Sequence, residues 1–175
     1  LKSQISLFSN FNHPSILKCI GYSPVDFSNK SNPVIVTEYL PNGTLADIIK
    51  QERQSHSLLN DTRKLINIYG IASAMSFLHS HNIIHTNLKP SNILENDYLF
   101  PKVEYFSFSN VINSNTSEFK SSPFYIAPEV KEKNEYTKES DVYSFSNLVY
   151  ELLTLSEPPK NHNGQSELPF SECYK

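Results

Sequence analysis

The densest group of chemically capable side chains lies in "HSHNIIHTNLKPSN", residues 79–92. Three imidazoles, His79, His81 and His85, fall in one stretch and could suggest a metal site. His79 and His81, however, close a helical run, which favours helix-end roles over ligation. Around Pro90 lie two neutral carboxamides, Asn87 and Asn92, and one ammonium, Lys89. "LKPSN" also reads as a tight loop whose polar groups cap one another.

The elements that must position this segment are legible on both sides. From Asn60, the spacing of Leu65, Ile68, Ala72, Met75 and Leu78 predicts a long helix with these residues toward the core. "DVYSFSNLVYELLTL" predicts a second, with Val142, Phe145, Val149 and Leu152/Leu153 on one side. Upstream, Ile5, Phe8 and Phe11 space out one helical face, which His13-Pro14 stops. "SILKCIGYS" and "NPVIVTEYL" read as strands around the turn-rich "PVDFSNKSN", and Thr44 caps a short helix over "TLADIIKQER". "IIH", "NIL" and "PKVEYF" are short strand-like pieces; residues 107–122 form a Ser/Asn-rich loop, and pattern is lost after "SEPPK".

Composition supports a folded domain, with 38% apolar and 12% aromatic residues. The net charge of −3 is spread over interspersed charges, so neither a nucleic-acid footprint nor a polybasic membrane patch is visible. Protein or small-molecule partners are expected instead. No apolar run reaches the ~18–20 residues of a membrane span, and no signal-peptide pattern opens the chain. A cytoplasmic setting is expected, with Cys19 and Cys173 as reduced thiols and the sequons at Asn42, Asn60 and Asn115 as chance matches. Four glycines supply neither a Gly-rich phosphate loop nor a nucleophile elbow.

Taken in order, the segments resemble a protein kinase catalytic domain, and most closely the tyrosine-kinase-like group of serine/threonine-type kinases. "HPSILKCIGY" is similar to the junction between the family's αC helix and the next strand, and "VIVTEYLPNGTL" to the strand, gatekeeper and hinge. "IIHTNLKPSNIL" stands for HRDLKPxNIL, "PKVEYFSFS" for PKIADFGLS, "SSPFYIAPEV" for GTPxYMAPEV and "DVYSFSNLVYELLT" for DVWSFGxxxxELLT.

The resemblance implies an α+β, protein-kinase-like fold with a mainly helical C-terminal lobe, the αC helix and the last strands of the N-terminal lobe. Residues 1–36 would be the remainder of the small lobe, 37–41 the gatekeeper and hinge, 42–159 the large lobe, and 160–175 an irregular tail. The family's first three strands, with the Gly-rich loop and the VAIK lysine, are expected to be absent from this chain, as are the final helices.

The resemblance also assigns roles. Asn87 stands where a catalytic aspartate accepts the substrate hydroxyl proton, and Thr86 where an arginine binds a phosphorylated activation loop. Lys89 and Asn92 match the γ-phosphate lysine and the second metal ligand, although the reading as a self-capping loop outweighs a surviving phosphate site. Tyr105, 105 − 92 = 13 residues beyond Asn92, stands at the aspartate of DFG, followed by Phe106. A phenol is a poor ligand for Mg²⁺. In an extended segment neighbouring side chains oppose one another, so Glu104 would need a one-residue slip to replace it.

Thr37, Glu38 and Leu40 match the gatekeeper and hinge, and Leu94 the residue under adenine. Gln4 takes the place of the αC glutamate and cannot form its ion pair. His85, Phe106, Phe8 and Cys19 match the stacked hydrophobic spine, Asp141 the aspartate under the catalytic loop, and Glu129 the glutamate of APE, whose arginine partner would fall beyond Lys175. ATP and Mg²⁺ are the implied cofactors, weakened or lost. Three readings follow: an inactive kinase-like binding or scaffold module, an ATP-dependent protein serine/threonine kinase, or a truncated relic with unpaired apolar strand faces.

Overall fold

A computed structural model describes residues 11–55, 58–105 and 123–159. Strands β1 (Cys19–Ser23) and β2 (Val34–Thr37) pair antiparallel, with an irregularity between Cys19 and Gly21. Their connection is folded by the Asp26 carboxylate, which accepts from the Ser28 and Lys30 amides and from Asn32 Nδ2. Ile20 and Val36 remain exposed.

Helix α1 (Leu45–Ser55) starts at Thr44 as the sequence predicts. Thr44 Oγ1 accepts from the Asp47 amide at 3.2 Å, and the Asp47 carboxylate accepts from the Thr44 amide at 3.1 Å, a reciprocal cap. Helix α2 (Asp61–Ser80) is capped by Asn60, whose Oδ1 accepts from the Arg63 amide at 2.9 Å. Between the helices the buried Glu52 carboxylate takes the Leu58 and Leu59 amides. A single α1 side chain thus fixes the way into α2.

Strands β3 (Ile93–Glu95) and β4 (Pro101–Val103) form a second antiparallel ribbon. Val103 also bonds to Ser15 and Leu17 on its other edge, so β4 sits between β3 and the segment leading to β1. A short helix α3 (Pro128–Lys133) precedes α4 (Lys138–Thr154), whose capping box joins Thr137 and Ser140. The architecture is α+β, with one core drawn from Ile48 and Ile49 of α1, Ile71 and Leu78 of α2, Ile93, Val103, and Leu148 and Leu152 of α4.

Both long helices form where the periodicity places them, and Met75, Leu78 and Leu152 are buried as expected, but part of each expected face is turned outward. Leu65 is 64% exposed, as Val142 and Leu153 largely are. The buried stripe of α2 instead runs Asn67, Gly70, Ile71, Ala74, Met75, Leu78, and that of α4 Ser140, Asp141, Ser144, Asn147, Leu148, Leu152. Small and hydrogen-bonded polar residues occupy these stripes, so the larger apolar residues on their flanks set the apparent period. Leu65 borders an apolar groove of about 510 Å³ with Tyr69 and Phe100.

Gly70 shows why the stripe carries small residues. A Cβ there would lie 2.6 Å from Pro101 Cγ and 2.9 Å from Ser15 Oγ. Gly70→Ala must push β4 or the 15–17 segment off α2, and the expected loss is about 1–3 kcal/mol of unfolding free energy by urea titration. A neutral result would mean that the proline ring yields freely.

Candidate functional site

The segment from His85 to Asn92 is held from below by Asp141, which the capping box places in the first turn of α4. Asp141 is 1% exposed; its Oδ2 accepts from the His85 amide and meets His79 Nε2, both at 2.8 Å, and its Oδ1 accepts from the Thr86 amide at 2.9 Å. These bonds hold Thr86 at φ +68°, a left-handed conformation that a β-branched residue rarely adopts. The strain is local and the loop shape survives it.

His85 is buried beneath the loop. Its Nδ1 accepts from the Asn87 amide at 3.2 Å, so the proton sits on Nε2, which donates to the Glu104 carbonyl at 2.8 Å. Desolvation lowers the imidazole below its ordinary pKa, against the opposing pull of Asp141. A neutral ring therefore ties the loop to the end of β4. Asn92 closes the turn after Pro90, with Nδ2 donating to the Asn87 carbonyl at 2.7 Å.

The three histidines separate. His79 bonds Asp141, His85 bonds Glu104, and His81 stacks on Phe77 with ring centroids 4.3 Å apart. Among the described residues no group of three His, Cys, Asp or Glu side chains is placed to hold a metal.

Tyr105 does not face the loop cleft. Its ring is buried in the core, with Phe11 at 6.0 Å, and burial raises the phenol far above its ordinary range. Glu104, its neighbour, is half-buried and turned the other way, its carboxyl raised by desolvation. Neighbouring side chains oppose one another here as expected: the aromatic ring takes the apolar side, and alternation leaves the carboxylate outside.

At the end of β2, Thr37 pairs with Cys19, and the connector follows. The Glu38 carboxylate accepts from the Lys18 amide at 2.9 Å and pairs with Lys102 Nζ at 3.0 Å. Leu40 and Leu94 are half-buried, and Leu94 is bridged to Thr44. Glu129, in the first turn of α3, has no hydrogen-bond or ion-pair partner among the described residues. Gln4, Phe8 and Phe106 lie outside the described residues.

The sequence reading missed a charged cavity beside the loop. About 270 Å³ in volume, it is lined by Lys89, Ser91, Phe124, Tyr125, Glu151 and Glu157. Glu151 is held by Arg53 Nη2 at 3.0 Å and by the Tyr125 hydroxyl. Nothing in the periodicity of α4 marks Glu151, because the pairing partner lies 98 residues away.

Among the described residues no helix is long and apolar enough to cross a membrane. The protein kinase domain family matches residues 1–172. A calmodulin-binding receptor-like cytoplasmic kinase of Arabidopsis thaliana is 34% identical over 166 residues, covering 90% of this chain and 31% of the relative. A dual specificity protein kinase of Dictyostelium discoideum is 31% identical over 163 residues, covering 90% and 24%. Another Dictyostelium discoideum protein, carrying a serine/threonine-protein kinase name, is 33% identical over 162 residues, covering 90% and 12%. The chain thus spans less than a third of the length of these relatives. With the family matched along nearly all of its length, and the His85–Asn92 loop seated on Asp141, the chain belongs to the protein kinase domain family.

Proposed function

We propose that this chain is a kinase-like domain of the tyrosine-kinase-like group that has lost phosphoryl transfer and serves as a protein-binding or scaffold module in the cytoplasm. One observation carries the reading: the loop keeps its architecture around a carboxamide, Asn87, at the proton-accepting position. Asn87 can orient a hydroxyl but is hardly basic, which forfeits roughly 10²–10⁴ in rate.

Kinase domains use ATP and Mg²⁺, which when bound supply the transferable phosphoryl group and neutralise its charge. The residues present fit a nucleotide in part. Leu94 offers an apolar surface, Lys89 a cation, and Asn92 a neutral oxygen donor, while Tyr105 contributes nothing to the cleft. The expected partners are proteins and a nucleotide, with neither nucleic acid nor membrane. The retained Lys89 and Asn92 favour the second reading, an active protein serine/threonine kinase.

With ATP, Mg²⁺ and a generic protein substrate, the full chain is expected to transfer no phosphoryl group above background. Asn87→Asp is expected to raise any residual rate by roughly 10²–10⁴. Robust Mg²⁺-dependent turnover by the unmutated chain, abolished by Asn92→Ala, would establish the enzyme instead.

A further inference from the structure

The β3–β4 ribbon puts two oxygen donors side by side. Its register is Ile93↔Val103, Leu94↔Lys102 and Glu95↔Pro101, and the Glu104 amide donates to the Asn92 carbonyl at 2.9 Å, carrying the pairing one residue further. Opposed residues of an antiparallel pair share a face, and faces alternate along each strand. Leu94 and Lys102 therefore share one face and Ile93, Glu95, Pro101 and Val103 the other; Asn92, in the turn before β3, and Glu104, just after β4, join the first set by their burial, and Tyr105 the second. Burial divides the same way: the second set is buried throughout, the first half-buried throughout.

The half-buried face is the one toward the connector, since Lys102 reaches Glu38 from it. On it, Asn92 has committed its Nδ2 to the Asn87 carbonyl, which leaves Oδ1 as an acceptor. The Glu104 carboxylate has no hydrogen-bond or ion-pair partner among the described residues, and the adjacent ammonium of Lys102 is taken by Glu38. Directly opposed side chains have Cβ atoms roughly 4.5–5.5 Å apart, close enough for both to reach one ion.

We propose that Glu104, rather than the residue at the family's metal position, Tyr105, is the anionic ligand for a divalent cation shared with Asn92 on this face. A carboxylate and a carboxamide oxygen are hard donors suited to Mg²⁺ or Mn²⁺, which take one or two protein oxygens and complete their shell with phosphate oxygens and water. The inference rests on the cleft accepting a nucleotide. It also separates two functions: metal–nucleotide binding can persist where Asn87 has ended proton transfer.

The test is a Mn²⁺ titration of the full chain by electron paramagnetic resonance, with and without a non-hydrolysable ATP analogue. Mn²⁺ affinity in the presence of the analogue is expected to fall tenfold or more in Glu104→Gln, to be partly kept in Glu104→Asp, and to be unchanged in Tyr105→Phe. Parent-like affinity in Glu104→Gln, or no Mn²⁺ bound beyond what the analogue alone holds, overturns the assignment. On the unmutated chain, Mn²⁺ must broaden the amide signals of Asn92 and Glu104 first; broadening centred elsewhere also overturns it. Phosphotransfer by the parent would instead overturn the inactive reading and leave this site standing.

Discussion

Asp141→Ala is expected to remove roughly 3–5 kcal/mol of unfolding free energy, the range for breaking a buried charged hydrogen-bonded group. The carboxylate is 1% exposed and satisfies the His85 and Thr86 amides together with His79 Nε2. Without it, the buried His85 amide, the part-buried Thr86 amide and an imidazole lose their acceptor, and Thr86 at φ +68° loses the bond that holds it there. Asp141→Asn retains one oxygen but turns an NH₂ toward a donor, so about half the loss is expected, as for one unsatisfied buried group at ~1–3 kcal/mol. Urea unfolding of both variants decides the matter. An alanine variant within 1 kcal/mol of the parent, on the order of a surface change, would show that Asp141 does not organise the loop.

The second large effect has the opposite sign. Glu95 is fully buried on the core side of β3, neither carboxyl oxygen has a partner among the described residues, and burial pushes its pKa from an ordinary 4.5 to about 8. Desolvation is the cause, and among the described residues no charged neighbour relieves it. The folded chain therefore keeps this proton to a higher pH than the unfolded chain does. Its stability is undiminished by Glu95 below about pH 4.5 and falls as pH rises to about 8, at about 1.4 kcal/mol per unit. At pH 7 the accumulated cost is about 3 kcal/mol. Glu95→Leu is expected to recover that cost at pH 7 relative to pH 4.5 and to flatten the slope between them. Parallel pH profiles for parent and variant would refute the buried, unpaired carboxyl.

Much of the frame was legible in the sequence because it is built from local chemistry. Thr44 announces its helix by a side-chain oxygen placed to take an amide, and that cap forms; the Asn60 cap emerged only from the structure. The family resemblance was legible because "IIHTNLKPSNIL" and "DVYSFSNLVYELLT" keep their order and spacing. Facing was harder. Gly70 and Ala74 give the buried side of α2 little hydrophobic weight, and Asp141, Ser144 and Asn147 make that of α4 look polar.

The candidate site shows the same limit at single residues. Glu95 follows "NIL" and precedes "NDY", so it reads as the first polar residue of a turn, whereas the ladder continues through it to Pro101. Tyr105 could be counted onto the metal position but not oriented there. Its ring is decided by Phe11 and the core, which lie far from it in sequence.

Arg53 gives the order of assembly a direction. It grips Glu151 and the Leu155 carbonyl, 98 and 102 residues further along. On a ribosome, α1 is complete long before either partner has been synthesised, and contacts this distant in sequence are slow to close. The end of α1 can be latched only after α4 has emerged, so a nascent chain halted before residue 151 carries a finished helix with an unfastened arginine. Protease sensitivity of that helix would then report how far synthesis has gone.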